Sequence, residues 1–193
     1  AEGRIIVTDK MSYLAPKVIS QVNDTFACEG YSFEFELEAI GDSLQYQWYK
    51  FGMIVPGAVE SKLQIDSVTI DHGGIYSCLV HNVAGSTESD EFVLGIKPPL
   101  VITAHPQDIT AHEQGTVIFN QAVTGALPIH YQWQKNGVDI PGAVFHTYAI
   151  YGVQFSDSGN YRCVLSNDCN QEITEEAKLT VLPASSIEDH NLR

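Results

Sequence analysis

The sequence contains no apolar run that approaches the roughly 18 residues needed to cross a membrane as a helix, and it has few basic side chains. Ten Lys and Arg stand against 24 Asp and Glu, which gives a formal net charge of −14. Because nucleic acids and anionic membrane surfaces repel such a charge, we expect no nucleic-acid partner and no membrane insertion. With 44% hydrophobic residues, the composition favours a globular protein that is secreted or displayed at the cell surface.

Enzyme motifs are absent as well. The sequence has no G-x-S-x-G, H-E-x-x-H, G-x-x-x-x-G-K-[ST] or C-x-x-C, the patterns that supply a nucleophile, a zinc site, a phosphate loop or a dithiol. Its seven histidines do not fall at the spacings of zinc ligands. We therefore predict a protein that is not an enzyme and that needs no cofactor.

Calcium is the alternative that deserves comparison. Two acid-rich stretches, residues 88–91 and 172–176, offer carboxylate oxygens. Neither has the alternating Asp or Asn around a central Gly that a calcium loop uses. We interpret them as solvated strand edges, whose charge discourages unwanted sheet pairing.

What the sequence does contain is an internal repeat. YQWYKFGMIVPGA, starting at Tyr46, aligns without a gap with YQWQKNGVDIPGA, which starts 85 positions later at Tyr131. The same offset relates Cys78 to Cys163. The chain therefore holds two copies of one unit.

Each copy has the pattern of short strands. Apolar residues alternate with polar ones, as in Phe33, Phe35 and Leu37, between Gly and Pro turn markers, and no stretch has convincing helical periodicity. Such units indicate antiparallel β-sandwiches. We predict an N-terminal arm at 1–15, a first domain at 16–97, a second domain at 98–183 and a tail at 184–193. Lys97-Pro98-Pro99 is the expected linker, since consecutive prolines favour an extended chain.

The second copy has Trp133 and, 30 residues later, the end of the motif Asp157-x-Gly159-x-Tyr161-x-Cys163. This arrangement resembles immunoglobulin-like domains of the intermediate set. The form YQWQKNG…IPGA followed by SDSGNYRC is particularly similar to tandem repeats of bacterial secreted and surface proteins, and animal receptor and muscle repeats are similar too. The resemblance covers residues 16–183. It implies an all-β fold of two tandem immunoglobulin-like antiparallel β-sandwiches joined by a short Pro-rich linker.

The resemblance also implies structural roles for four aromatic residues. Trp48 and Trp133 are expected in the two cores, where their place in the repeat argues against exposed ligand-stacking roles. The hydroxyl groups of Tyr76 and Tyr161 are expected to hydrogen-bond to nearby backbone.

Two departures from the family pattern are visible. The second-strand position that holds a half-cystine in antibody-like domains is occupied by Leu37 in the first copy and by Gln121, or its neighbour, in the second. The usual inter-sheet disulfide is therefore not expected. His72 stands where the second copy has Asp157, and we expect Asp71 to take over as the acidic member of that corner.

Four cysteines, Cys28, Cys78, Cys163 and Cys169, are disulfide candidates with several arrangements open. One arrangement pairs each domain internally, Cys28 with Cys78 and Cys163 with Cys169. Another joins Cys28 to Cys169 across the domains and leaves Cys78 and Cys163 as buried thiols. The third leaves thiols free or bonded between molecules.

The segment Arg4-Ile5-Ile6-Val7-Thr8 is a candidate assembly strand, because its β-branched residues favour strand structure and a seven-strand unit has no obvious place for it. One hypothesis is that it adds to a sheet edge of a neighbouring molecule and gives a head-to-tail fibre. The alternatives are a first strand on its own domain or disorder.

Taken together, these observations predict a non-enzymatic structural or adhesive module of a secreted or cell-surface protein. Such a module acts by protein–protein contacts, including as a subunit of an extracellular fibre or assembly. The alternative is a receptor-like module that binds a protein or glycan through loops at one end of a domain. The candidate loops, 43–45, 82–85 and 167–170, are short and poor in Trp, Tyr and Arg anchors, which favours the first interpretation.

Overall fold

The structure, a computed structural model, describes residues 13–184. The candidate assembly strand at residues 4–8 and the end of the tail lie outside the described residues. The chain divides into two units between Ile96 and Lys97. Within residues 13–184 no helix has the length and apolar character needed to span a membrane.

The first unit is built from ten short strands and one 3-10 turn among its described residues. The strands are β1 Lys17–Ser20, β2 Thr25–Cys28, β3 Phe33–Glu36, β4 Glu38–Ile40, β5 Gln45–Lys50, β6 Met53–Ile54, β7 Lys62–Ile65, β8 Gly74–Asn82, β9 Gly85–Glu88 and β10 Phe92–Lys97. The 3-10 turn, Ile70–His72, precedes β8. Alternation of apolar and polar residues explains the strands, because β3 and β7 bury every second side chain.

The second unit repeats this order. Its strands are β11 Val101–Ala104, β12 Ile109–His112, β13 Thr116–Asn120, β14 Ala122–Thr124, β15 His130–Lys135, β16 Val138–Asp139, β17 Thr147–Tyr151, β18 Gly159–Ser166, β19 Gln171–Ile173 and β20 Ala177–Leu182. Its 3-10 turn is Phe155–Asp157. The structural repeat therefore follows the sequence repeat.

Both units have two layers. In the first unit one layer has the strand order β2-β10-β8-β5-β6, with β9 on β8, and the other consists of β1-β4 and β3-β7. In the second unit the corresponding layers are β12-β20-β18-β15-β16, with β19 on β18, and β11-β14 with β13-β17. The pairs are antiparallel around β15, β17 and β18, whereas β12 runs parallel to β20. Each unit is a β-sandwich.

The core of each sandwich is centred on its Trp. Trp48 is 1% exposed and stacks on Phe35 at a ring-centroid distance of 6.0 Å, and Trp133 is 0% exposed and lies 6.1 Å from Phe119. The indole N–H of each donates a 2.9 Å hydrogen bond to a backbone carbonyl, of Glu60 in one unit and of Phe145 in the other. Burial of such a large ring without loss of its hydrogen bond stabilises the sandwich.

The corner tyrosines fasten the 3-10 turns to the strands that follow. The Tyr76 hydroxyl donates to the carbonyl of His72, and the Tyr161 hydroxyl donates to the carbonyl of Asp157, both at 2.7 Å. Burial of each ring raises the pKa of its hydroxyl. Both hydroxyls therefore remain protonated donors at neutral pH.

The expectation that Asp71 replaces the missing acid of the first unit is wrong. In the second unit the Asp157 carboxylate accepts a hydrogen bond from the backbone N–H of Gln154 at 2.8 Å. In the first unit the imidazole Nδ1 of His72 accepts the equivalent bond from Thr69 N–H at 2.9 Å. An unprotonated ring nitrogen is an acceptor like a carboxylate oxygen, so His72 itself closes the turn.

Candidate binding surfaces

The cysteines are the first groups to consider, because they are the strongest nucleophiles in the chain. Cys78 and Cys163 are free thiols with no exposed surface. Burial raises the pKa of each thiol to about 11. A thiol that stays protonated at neutral pH is a poor nucleophile and metal ligand, and these two are core side chains.

The intradomain pairing of cysteines is therefore wrong. β2 and β8 lie in one sheet with β10 between them, and two strand spacings of about 4.8 Å separate Cys28 from Cys78 by more than a disulfide spans. Cys163 lies within β18, where its carbonyl accepts from Thr174 N–H at 2.9 Å. Cys169 lies beyond the end of that strand. Cys163 is a free thiol whereas Cys169 is disulfide-bonded, so the two are not joined to each other.

Cys28 and Cys169 are disulfide-bonded. Of the three arrangements, the one that oxidises Cys28 and Cys169 and leaves Cys78 and Cys163 as buried thiols matches these states. The identity of each partner stays a prediction, which non-reducing peptide mapping tests.

The end loops suggested for ligand binding are occupied by structural hydrogen bonds. The Asn82 amide donates to the carbonyls of Leu14 and Asp42 at 2.7 and 2.8 Å, and its carbonyl oxygen accepts from Ala84 N–H at 2.8 Å. Its repeat partner Asn167 donates to Ala126 O at 3.1 Å and accepts from two backbone N–H groups of its own loop. These asparagines therefore stabilise their loops.

No metal centre is assembled in the described part of the chain. Among residues 13–184, no three His, Cys, Asp or Glu side chains lie together as metal ligands. The first acid-rich stretch begins at Glu88, the last residue of β9, and the second overlaps the end of β19. The calcium alternative therefore has no ligand set within these residues.

Two sheet edges carry the clearest surface difference between the units. β7 pairs with β3, and β17 pairs with β13, and each of these sheets has two strands among the described residues. The registers match, since Glu34 is opposite Gln64 in the first unit and Ile118 is opposite Ala149 in the second. The same surface of the fold is therefore present twice, with different side chains.

In the first unit this surface is charged. Lys62 on β7 forms ion pairs with Glu34 at 2.9 Å and with Glu36 at 3.5 Å on β3. The hydrogen bond and charge of Glu34, with a further contribution from Glu36, raise the pKa of the Lys62 amine. Charges of this kind along an edge strand oppose pairing with another chain. The first unit thus has a protected edge.

In the second unit the corresponding outer face carries no charge. It consists of Thr116, Ile118 and Asn120 on β13 and of Thr147, Ala149 and Tyr151 on β17. Ile118 is 52% exposed and Tyr151 is 77% exposed. We call these six residues the neutral face. A comparison of KLQID, from Lys62, with TYAIY, from Thr147, shows the difference in the sequence, although the sequence analysis did not use it.

A groove borders the edge strand in each unit. The groove in the first unit measures about 500 Å³ and includes the charged side chains of Lys50, Lys62 and Asp66 in its lining. The groove in the second unit measures about 400 Å³ and is lined by uncharged residues alone: Ile140, Pro141, Gly142, Ala143, Phe145, Thr147, Tyr148 and Ala149. Phe145 is 68% exposed at its rim. The second unit therefore combines a neutral face with an uncharged groove.

Comparisons with known proteins agree with this architecture. Residues 98–167 match the immunoglobulin domain family. The chain is similar to netrin receptor DCC of Rattus norvegicus, with 35% identity over 141 residues that cover 66% of this chain and 9% of that protein. It is also similar to the muscle M-line assembly protein unc-89 of Caenorhabditis elegans, with 26% identity over 195 residues. That alignment covers 89% of this chain and 2% of unc-89.

A solved fragment of titin, the I-band fragment I67–I69, superimposes with a TM-score of 0.74 at 20% identity, and covers 88% of this chain and 66% of that chain. The chain spans a small fraction of the length of the two relatives named above. Both are animal proteins, so they do not support the resemblance to bacterial repeats. The two units of this chain are tandem immunoglobulin-like β-sandwiches.

Proposed function

We propose that this chain is a non-enzymatic adhesive or receptor-like module that acts through protein–protein contacts outside the cell or at its surface. The observation that carries the proposal is the sequence similarity, at 35% identity, to a segment of a protein named as a netrin receptor. The surface chemistry supports it, because an uncharged sheet face beside an uncharged groove offers a surface for contact with another protein.

The cysteine states support an extracellular setting. Cys28 and Cys169 are disulfide-bonded, and disulfides persist in oxidising compartments and are rare in the cytosol. Cys78 and Cys163, by contrast, are protected from oxidation by complete burial.

Display of the chain on cells that do not adhere to one another tests this function. Displaying cells are labelled and mixed with other displaying cells and, separately, with cells that lack the chain. Aggregation among displaying cells indicates adhesion between copies, and attachment to the second population indicates receptor-like recognition. An unrelated β-sandwich displayed at the same density is the control, and attachment no greater than that control in both mixtures contradicts the function.

A structural subunit of a fibre is the second candidate function, and the similarity to an M-line assembly protein favours it. In this version residues 4–8 of one molecule add as a strand to the sheet of the next. Deletion of residues 1–10, followed by light scattering, is expected to reduce the oligomer size if the arm acts in this way. An unchanged size contradicts the role of the arm.

A further inference from the structure

Strand β17 has one edge whose backbone N–H and C=O groups do not pair with any strand among the described residues. Its one strand neighbour within residues 13–184 is β13. In an antiparallel strand every second residue directs its N–H and C=O away from that neighbour, towards the free edge. Such an edge accepts another strand unless charge, proline or a covering segment prevents it.

None of these obstacles stands along β17. Its sequence, Thr147 to Tyr151, contains no charge and no proline and is rich in β-branched and aromatic residues. The segment before it lines an uncharged groove together with Tyr148. Among the described residues, its backbone–backbone hydrogen bonds go to Trp133 and within the segment, and none goes to β17. The same edge in the first unit is protected by Lys62 and its two glutamate partners, so one chain carries a protected and an unprotected version of one surface.

We infer that β17 is a self-association edge, which pairs antiparallel with β17 of a second copy of this chain about a twofold axis at Ala149. The pairing joins the two β13–β17 sheets into one four-stranded sheet. Thr147 of each copy then lies opposite Tyr151 of the other, and Tyr148 lies opposite Ile150.

The distribution of charge favours a second copy of this chain as the partner of β17. Each chain carries a net charge of −14, so two copies repel each other over most orientations. The neutral face is a surface on which two copies meet without opposing like charges. In an isologous twofold contact a patch pairs with the same patch of the other copy. Because β17 carries no charge, no position of the strand then faces a like charge.

The core does not have to change for this pairing. The side chains of Tyr148 and Ile150 pack against the core of the second unit, and Tyr148 stacks on Trp133 and Tyr161 at 6.2 and 5.9 Å. The side chains of Thr147, Ala149 and Tyr151 belong to the neutral face. Pairing therefore uses backbone groups at the edge and changes neither the core-facing nor the outward-facing side chains of β17.

The contact is weak in solution. Two five-residue strands bury less than the roughly 1,200 Å² that stable complexes need. We therefore expect a dissociation constant between micromolar and millimolar, with stronger attachment where many copies face each other on two surfaces. The biological role rests on the proposed function, whereas the association itself does not.

Sedimentation velocity of the whole chain over micromolar to millimolar concentrations measures the association. The variant T147K/Y151K puts like charges opposite each other in both Thr147–Tyr151 pairs of the twofold register. It adds two positive charges to a net charge of −14 and so reduces the overall repulsion between copies, which means that a loss of association comes from the edge itself. We expect it to dissociate at least about tenfold more readily than the wild type. T147S/Y151F, which keeps the edge uncharged, is the matched control and is expected to match the wild type. Circular dichroism verifies that both variants are folded.

Cross-linking tests the register. Residues directly opposite each other in an antiparallel pair have Cβ atoms about 5 Å apart, within reach of a disulfide. A149C is therefore expected to form a disulfide-linked dimer on mild oxidation. T147C and Y151C are expected to cross-link when mixed and not when oxidised separately.

The outcomes separate this inference from its competitors. A monomeric wild type at millimolar concentration overturns it, and so does an association that T147K/Y151K leaves unchanged. Loss of the dimer on deletion of residues 1–10 overturns it in favour of the arm as the occupant. Adhesion between displaying cells that survives in T147K/Y151K retains the proposed function and removes this edge from it.

Discussion

Replacement of Gln121 by leucine is expected to stabilise the second unit. Gln121 lies between β13 and β14, at the place that Leu37 has between β3 and β4 in the first unit. Leu37 is 2% exposed and belongs to the core. Both amide atoms of Gln121 are buried, and neither has a hydrogen-bond partner among the described residues. The second unit thus holds an unpaired amide where its sister holds an apolar side chain.

The magnitude follows from that comparison. A buried polar group without a partner costs about 1–3 kcal/mol. Leucine has nearly the volume of glutamine, so Q121L removes this cost without an added cavity. We expect the free energy of unfolding of the second unit to rise by about 1–3 kcal/mol. For a unit of this size each kcal/mol raises Tm by roughly 4–8 °C.

Amide hydrogen exchange, measured as a function of urea concentration, reports the stability of the two units separately. Peptides from β18 report on the second unit and peptides from β8 on the first, because central strands exchange mainly through global opening. Q121L is expected to slow exchange in β18 and to leave β8 unchanged. The reverse substitution, L37Q, is the matched control and is expected to destabilise the first unit by at least about 2 kcal/mol.

A neutral or destabilising effect of Q121L would refute the reasoning. It would mean that the amide gains a partner which compensates for burial, such as an internal water. In that case Q121L loses a hydrogen bond, and the two reciprocal substitutions destabilise both units.

Three further predictions concern titratable groups. Cys78 and Cys163 are expected not to react with an aromatic disulfide reagent at pH 8 in the folded chain and to react fully in denaturant, because both are buried with raised pKa values. Since each thiol pKa rises from 9.0 to about 11 on folding, the unfolded chain releases protons first. The free energy of unfolding should therefore fall between about pH 9 and 11, by as much as about 1.4 kcal/mol per pH unit for each thiol, and urea titrations check this. H72A should destabilise the first unit by about 0.5–2 kcal/mol, because it removes the acceptor at Thr69 N–H, whereas H72D should retain the turn.

Each of these has a clear contrary result. Rapid reaction of either thiol in the folded chain contradicts its burial. The double variant C78A/C163A is the control for pH, and an unchanged slope in it assigns the loss of stability to other groups. Equal stability of H72A and the wild type contradicts the capping role of His72.

Much of the fold was predictable from local features of the sequence. Alternation in β3 and β13, the turn residues between strands and the repeat of YQW and Y-x-C are all properties of neighbouring residues or of exact spacing. They predict Trp48 and Trp133 in the cores and the two corner tyrosines at equivalent positions of the two units, because the period of a strand and the spacing of a repeat are properties of the sequence itself.

The cysteine states and the role of His72 required coordinates. Cys28 and Cys78 are separated by a strand that comes later in the sequence, β10, so sequence distance gives no measure of their separation in the sheet. His72 acts as an acceptor through the geometry of one turn, and residue type alone suggested that only a carboxylate would serve.

The sequence by itself determined the two repeated units, their strands and the aromatic centres of their cores, because these depend on periodicity and on hydrophobic burial. The tertiary structure decided which surfaces the strands present. Charges at 34, 36 and 62 are remote in sequence, and only the pairing of β3 with β7 makes them one protected edge. The pairing of β13 with β17 likewise makes one neutral face from two separate segments, since a sheet brings distant residues together through backbone hydrogen bonds that side-chain patterns do not specify.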